Sequence, residues 1–134
     1  SEPGLLPALQ KFQMNNNQIV GSIPYFSGFT NLRTLTLHRN NFTGYTSGAF
    51  KKLYRIRYLD ISFNNLSQSA LNTILEDLLA NWQAVKRGGV TINLKSQNGN
   101  VIPTPFGPGM DAAKILSDNG WDIGISPGGI QSNL

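Results

Sequence analysis

Cysteine is absent from the 134 residues. That excludes a disulfide framework, a thiolate zinc site and a cysteine nucleophile together, and leaves the redox compartment open. Histidine occurs once, as His38, and acidic residues number only seven against eleven Lys and Arg. No apolar run approaches the ~20 residues of a membrane span, because the stretches 5–9 and 78–85 are short or interrupted by polar residues. The opening Ser1-Glu2-Pro3 lacks the basic and then apolar pattern of a signal peptide. No G-x-S-x-G elbow, phosphate loop, dinucleotide fingerprint or calcium loop occurs, and the glycines of Gly107-Pro108-Gly109 and Gly128-Gly129 lack the flanking residues those motifs require.

What is present is enough apolar material for one core, since 40% of the residues are hydrophobic and the length suits a single domain. The formal charge of +4 is unevenly placed. Residues 1–57 carry seven cations against Glu2 alone, a net of +6, and the chain from Tyr58 onward is −2.

Laying the chain on itself exposes a repeat. Leu9, Phe12, Met14, Asn17, Ile19 and Gly21 align with Leu32, Leu35, Leu37, Asn40, Phe42 and Gly44, every pair 23 residues apart. The frame recurs 24 residues further on at Ile56, Leu59, Ile61, Asn64 and Leu66. Each copy reads apolar-x-x-apolar-x-apolar-x-x-Asn-x-apolar, the leucine-rich-repeat pattern. Alternation at Phe12 and Met14, Leu35 and Leu37, or Leu59 and Ile61 predicts a short strand with one face inward. The recurring Asn17, Asn40 and Asn64 fall where the chain leaves the strand, and an inward amide there can satisfy backbone groups of adjacent coils.

Beyond the third copy the pattern lengthens. Leu71, Ile74, Leu75, Leu78, Leu79 and Trp82 recur at helical spacing, predicting an amphipathic helix over 67–85. Ser67 or Ser69 is its expected N-cap, and Gly88-Gly89 its stop after Lys86 and Arg87 in the last turn. Ile92 and Leu94 start a fourth coil, with Gln97 or Asn98 in the asparagine slot. Pro103, Pro105 and Pro108 make 99–109 an extended loop before a short helix over about 110–118. Trp121-Asp122-Ile123-Gly124-Ile125 reads as a closing strand. The fold class expected is therefore an α/β solenoid of leucine-rich repeats, with short parallel strands, an irregular convex side and a helix-containing C-terminal cap. It forms a single domain over 1–134, with regular repeats in 1–66, a helical repeat and cap in 67–125, and a tail in 126–134.

Asn17-Gln18-Ile19-Val20-Gly21-Ser22-Ile23-Pro24, followed by Phe29-Thr30-Asn31-Leu32, resembles the N-x-L-x-G-x-I-P repeats best known from plant receptor ectodomains. The second copy keeps Gly44 but has Thr46-Ser47 in place of Ile-Pro, and the third has Gln68 in place of the glycine. Those ectodomains usually carry paired-cysteine caps, which this chain lacks. The C-terminal part looks more like repeat proteins of tailed bacteriophages and environmental bacteria, whose coils end in a helix, a strand and an aromatic strand. Here those pieces are 71–79, 91–94 and Gly120-Trp121-Asp122-Ile123. That resemblance implies a virion fibre, a head decoration or a cell-surface adhesin.

The outward strand positions make a polar rectangle on the concave face: Lys11, Gln13 and Asn15, then Thr34, Thr36 and His38, then Tyr58, Asp60 and Ser62, then Thr91, Asn93 and Lys95. Parallel strands place equivalent residues ~4.8 Å apart, so this is a continuous surface suited to a glycan, a peptide or another protein, or one that is merely solvated. His38 and Asp60 can approach across adjacent coils, but no nucleophile is marked to join them. Glu76 and Asp77 are neighbours on the helix, point in different directions and read as solvated charge. Lys51, Lys52, Arg55 and Arg57 could attract an anionic surface, although solubility also explains them and no base-reading helix accompanies them. The sequons Asn41-Phe42-Thr43 and Asn65-Leu66-Ser67 share one place in the repeat, which points to a structural role for the asparagines.

The expectation is a non-catalytic structural or adhesion module of a virion or cell surface that mediates protein assembly or attachment to a host glycan. A ligand-binding domain of an extracellular receptor is the alternative, and an enzyme with an unrecognised site the remote one. Neither cofactor nor metal is expected. The partners are protein subunits of a larger assembly, or a glycan or other anionic surface, rather than nucleic acid, and the location is extracellular or on a virion surface.

Overall fold

The computed structural model describes residues 9–125, apart from the side chain of Asn100, and the expected tail lies outside the described residues. Five short strands form one parallel sheet in chain order: β1 (Lys11–Gln13), β3 (Thr34–Thr36), β5 (Tyr58–Asp60), β6 (Val90–Asn93) and β7 (Trp121–Gly124). Lys11 pairs with Thr34, Thr34 with Tyr58, Tyr58 with Thr91 and Thr91 with Asp122. The repeat found in the sequence is therefore the register of the sheet. Phe12, Leu35, Leu59, Ile92 and Ile123 share the inner row and head a continuous core.

The expectation of an irregular convex side is corrected. Each of the first two coils carries another strand after its asparagine, β2 (Val20–Ile23) and β4 (Asn41–Tyr45), and these pair in parallel as a second sheet. Their alternation is hidden in the sequence because Val20, Gly21 and Ser22 are all exposed and only Ile23 is buried. The register slips between Gly21 and Ser22, so that Gly21 lies opposite Phe42 and Ser22 opposite Gly44. The two repeat glycines thus sit in different surroundings. Gly21 takes φ +92°, a conformation that side chains rarely adopt, whereas a Cβ on Gly44 would come within 2.8 Å of Ser22 Oγ.

In the third coil the helix α1 (Gln68–Ala84) takes the place of that second strand. Ser67 caps it by accepting from Ala70 N–H at 3.1 Å, and Ala70, Leu71, Ile74, Leu75 and Leu78 form its buried stripe. The helix stops at Ala84, before Lys86 and Arg87, which corrects the expected placement of both in its last turn. Arg87 instead lies where the cap closes. Its guanidinium donates to Asn81 Oδ1 at 2.8 Å and to the carbonyls of Leu53 and Ile56 at 3.2 and 3.3 Å, and it sits 5.3 Å from the Trp121 ring centroid. Burial pulls its pKa down to about 10, with the Arg57 charge acting in the same direction, so it stays charged at neutral pH. The 3-10 turn Asn98–Asn100 opens the proline loop, and α2 (Pro108–Asp118) follows with proline in its first turn. Gly109 lets α2 press on α1, because a Cβ there would meet Asn72 Cα at 2.7 Å.

The asparagine slot binds coil to coil. Asn40 Oδ1 accepts from the N–H of Asn17 and Ile19, and its Nδ2 donates to the carbonyls of Met14 and Leu37. Asn64 Oδ1 accepts from Phe42 N–H at 3.1 Å while its Nδ2 reaches the carbonyls of Leu37 and Ile61. Gln97, longer by one methylene, does the same with Leu66 N–H and the carbonyls of Ile61 and Leu94. The residue before each rung is left-handed: Asn16, Arg39, Phe63 and Ser96 have φ between 55° and 63°. Burial rises along the ladder, from exposed Asn17 to Asn64 at 4% and Gln97 at 2%. Asn64→Ala should therefore cost on the order of 3 kcal/mol, because it strands buried backbone groups. Asn17→Ala, whose exposed amide among the described residues meets Asn15 O in its own coil, should cost less than about 1 kcal/mol. Urea unfolding measures both, and equal losses would contradict the ladder.

Candidate binding face

The concave face is built by the register. Its first row is Lys11, Thr34, Tyr58, Thr91 and Asp122, and its second Gln13, Thr36, Asp60, Asn93 and Gly124. Asn15, His38, Ser62 and Lys95 follow each strand in the third row. The residues singled out in the sequence thus share one face, but not one exposure. Lys11, Gln13, Tyr58 and Lys95 are exposed, and Asn15, Thr34, His38, Thr91 and Asn93 are half-buried. Thr36, Asp60 and Ser62 are buried, so the expectation that they face solvent is corrected.

Their burial has a chemical reason. Asp60 Oδ1 accepts from Ser62 N–H at 3.0 Å and from Ser62 Oγ at 2.6 Å, and its Oδ2 accepts from Tyr58 Oη at 3.1 Å. His38 Nδ1 stands 3.6 Å from that same oxygen and makes no hydrogen bond. A carboxylate with three donors can lie under its neighbours without an unmet charge. The cluster brings together a histidine, an aspartate and a serine, yet the serine hydroxyl is committed to the carboxylate rather than to the imidazole. The pairing that would activate a nucleophile is not made. Its effect is to hold the Tyr58 ring in place. Burial pushes the Tyr58 phenol above its ordinary pKa, and the Asp60 charge and hydrogen bond add to the shift.

At the C-terminal end the face dips into a depression of about 170 Å³, lined by Tyr58, Thr91, Ile92, Asn93, Lys95, Asp122 and Gly124. Asp122 and Gly124 belong to the site although they were not among the residues singled out from the sequence. The signal was there, because Trp121-Asp122-Ile123-Gly124 continues the alternation and so fills the first and second rows.

Two other clusters resolve differently. Asp77 is not solvated as expected: its Oδ2 accepts from Tyr45 Oη at 2.8 Å and from Gly48 N–H at 2.7 Å, pinning α1 to the segment before β5. Lys51, Lys52, Arg55 and Arg57 are all exposed on that segment. Among the described residues, no group of three or more His, Asp or Glu could hold a metal ion, and no helix is long and apolar enough to cross a membrane.

Parallel one-coil strands joined by an amide ladder define a solenoid-like repeat protein. A model described as leucine rich repeat matches residues 7–66 and 30–79, more than half of the chain, and the chain belongs to that family. It is 43% identical over 67 residues to podocan of Mus musculus, a match covering 48% of this chain and 11% of podocan. The chain therefore spans about a tenth of that relative's length.

Tyr45 is pushed up further than Tyr58, chiefly by burial and then by its hydrogen bond to Asp77. Both phenols keep their protons above the ordinary value of 10.0. Above that pH the folded chain holds protons that the unfolded chain has released, so their contribution to stability is present below pH 10 and lost as pH rises through the folded values. Stability measured against alkaline pH should fall less steeply in Tyr45→Phe, and an unchanged slope would contradict the assignment.

Proposed function

We propose that the chain is a non-catalytic interaction module that works outside the cell, at a cell or virion surface, and holds its partner on the concave face. The observation that carries this reading is the unbroken five-strand face, on which polar rows surround an exposed tyrosine fixed by a buried carboxylate. A preorganised aromatic with adaptable polar neighbours is the pattern of an anchor position at an interface. The resemblance of 71–125 to virion and bacterial surface proteins supports the setting, with a receptor's ligand-binding domain as the alternative context.

Arrays of proteins and glycans supply the test. For any ligand found, the double substitution Tyr58→Ala and His38→Ala should weaken binding at least about tenfold with the fold retained by circular dichroism, whereas Lys52→Ala should not. Binding that survives the double substitution would remove the concave face from the function.

A second reading, assembly through the first coil, is supported by its exposure. Met14 is 37% exposed where its counterparts Leu37 and Ile61 are 1% and 0%, and Val20 is 67% exposed. Among the described residues β1 is an edge strand, free to extend the sheet. Light scattering should then show oligomers. A monomer of 14.7 kDa at high concentration would overturn this reading.

A further inference from the structure

The depression at the C-terminal end of the concave face has a size, a charge balance and a set of hydrogen-bonding groups that narrow what can occupy it. The depression is small, about 170 Å³. Sites for drug-sized ligands run to about 300–1,000 Å³. The part of an occupant that enters it is therefore about one small ring or one side chain.

In the second row β7 carries Gly124 beside Asn93 of β6, and the missing side chain leaves room for the Lys95 stem to lie over that position. A Cβ at Gly124 would come within 2.9 Å of Lys95 Cε, so the Lys95 stem already forms one wall. Lys95 and Asp122 offset one another, leaving the depression neutral overall. An anion such as phosphate would meet one cation and one carboxylate there, with no net attraction.

The polar groups suit a ligand that donates and accepts at adjacent atoms. Asp122 offers acceptors and the Lys95 ammonium offers donors. Asn93 Oδ1 accepts from Lys95 N–H at 3.1 Å, which orients the amide and leaves its NH2 and one oxygen lone pair for a ligand. The Thr91 hydroxyl does either. Beside them stands the Tyr58 ring, 37% exposed, its hydroxyl tied to Asp60 so that the ring presents a fixed apolar surface. An aromatic platform next to donors and acceptors of balanced charge matches a pyranose ring, which has an apolar C–H face and vicinal hydroxyls around its rim.

We propose that this depression, bounded by Tyr58, Thr91, Asn93, Lys95, Asp122 and Gly124, is a subsite for one neutral sugar ring, whose C–H face packs on Tyr58 and whose hydroxyls bridge Asp122, Asn93 and Lys95. The proposal rests on the concave-face reading and gives that face a ligand class. The rest of the face, with Lys11, Gln13, Asn15 and Thr34, lies along the rows leading away from the subsite and is free to contact further parts of a larger glycan.

The test is a titration of the isotope-labelled full chain, followed by backbone amide shifts, with the methyl glycosides of glucose, galactose, mannose and N-acetylglucosamine. At least one should give saturable shifts at millimolar concentration, confined to 91–95 and 122–124. Tyr58→Ala should weaken that binding at least about tenfold, Asp122→Asn should also weaken it, and Tyr58→Phe should retain most of it by keeping the ring. No saturable shift with any of the four glycosides, or equal binding by Tyr58→Ala, overturns the subsite. The blocked dipeptide acetyl-Lys-Glu-amide separates the sugar assignment from the wider reading. If it shifts the same amides while the glycosides do not, the sugar assignment falls and a peptide-binding concave face stands. If the concave double substitution leaves array binding intact, the wider reading falls whatever the glycosides do.

Discussion

Every coil of this protein must leave its strand by a sharp turn, and the turn leaves backbone N–H and C=O groups in the interior where water cannot reach them. In the coils of β3, β5 and β6 one side-chain amide, from Asn40, Asn64 or Gln97, meets that demand by reaching both its own strand end and the coil before it. The rest of the structure depends on this constraint. It fixes the left-handed residue before each rung, sets the parallel register, and thereby aligns the outward residues that make up the binding face. It also relates stability to position. A rung between two coils is buried and fully engaged, whereas the amide of Asn17 meets only its own coil among the described residues.

The C-terminal side solves a different problem, which is how to close a stack whose core would otherwise end in a bare layer. Two helices cover it, brought into contact at Gly109, and the junction between α1 and β7 is held by Arg87. That guanidinium is costly to bury, and it stays because four hydrogen bonds and the Trp121 ring receive it. Trp121 returns the contact by donating its indole N–H to the Arg87 carbonyl at 2.8 Å. The same closure places Asp122 and Gly124 at the end of the face, so the cap that protects the core also shapes the depression.

The features legible in the sequence were those that repeat. The inner row, the amide rungs and the face residues all follow from spacing, because a solenoid writes each contact once per coil, and α1 follows from its own helical period. Single contacts between residues far apart in the chain were not legible. The β2·β4 sheet was hidden by Gly21 and by exposed positions that carry no apolar period. The burial of Asp60 depends on Ser62 and Tyr58 folding over it, which alternation alone does not reveal. Asp77 looked like solvated helix charge because its partners, Tyr45 and Gly48, are about thirty residues away. Arg87 looked like part of a helix end for the same reason, since the carbonyls it serves belong to the preceding coil.

Successive face positions lie 23, 24, 33 and 31 residues apart along the chain, yet adjacent in the sheet. Coil length is thus uncoupled from coil spacing, since only the strand and the rung must be in place and the chain between them can be a strand, a helix or a proline loop. A lineage carrying this fold can therefore lengthen or shorten its back, one in-frame insertion at a time, while the lattice of residues on its front keeps the same geometry. Specificity and bulk become separately inheritable traits of one stack of coils.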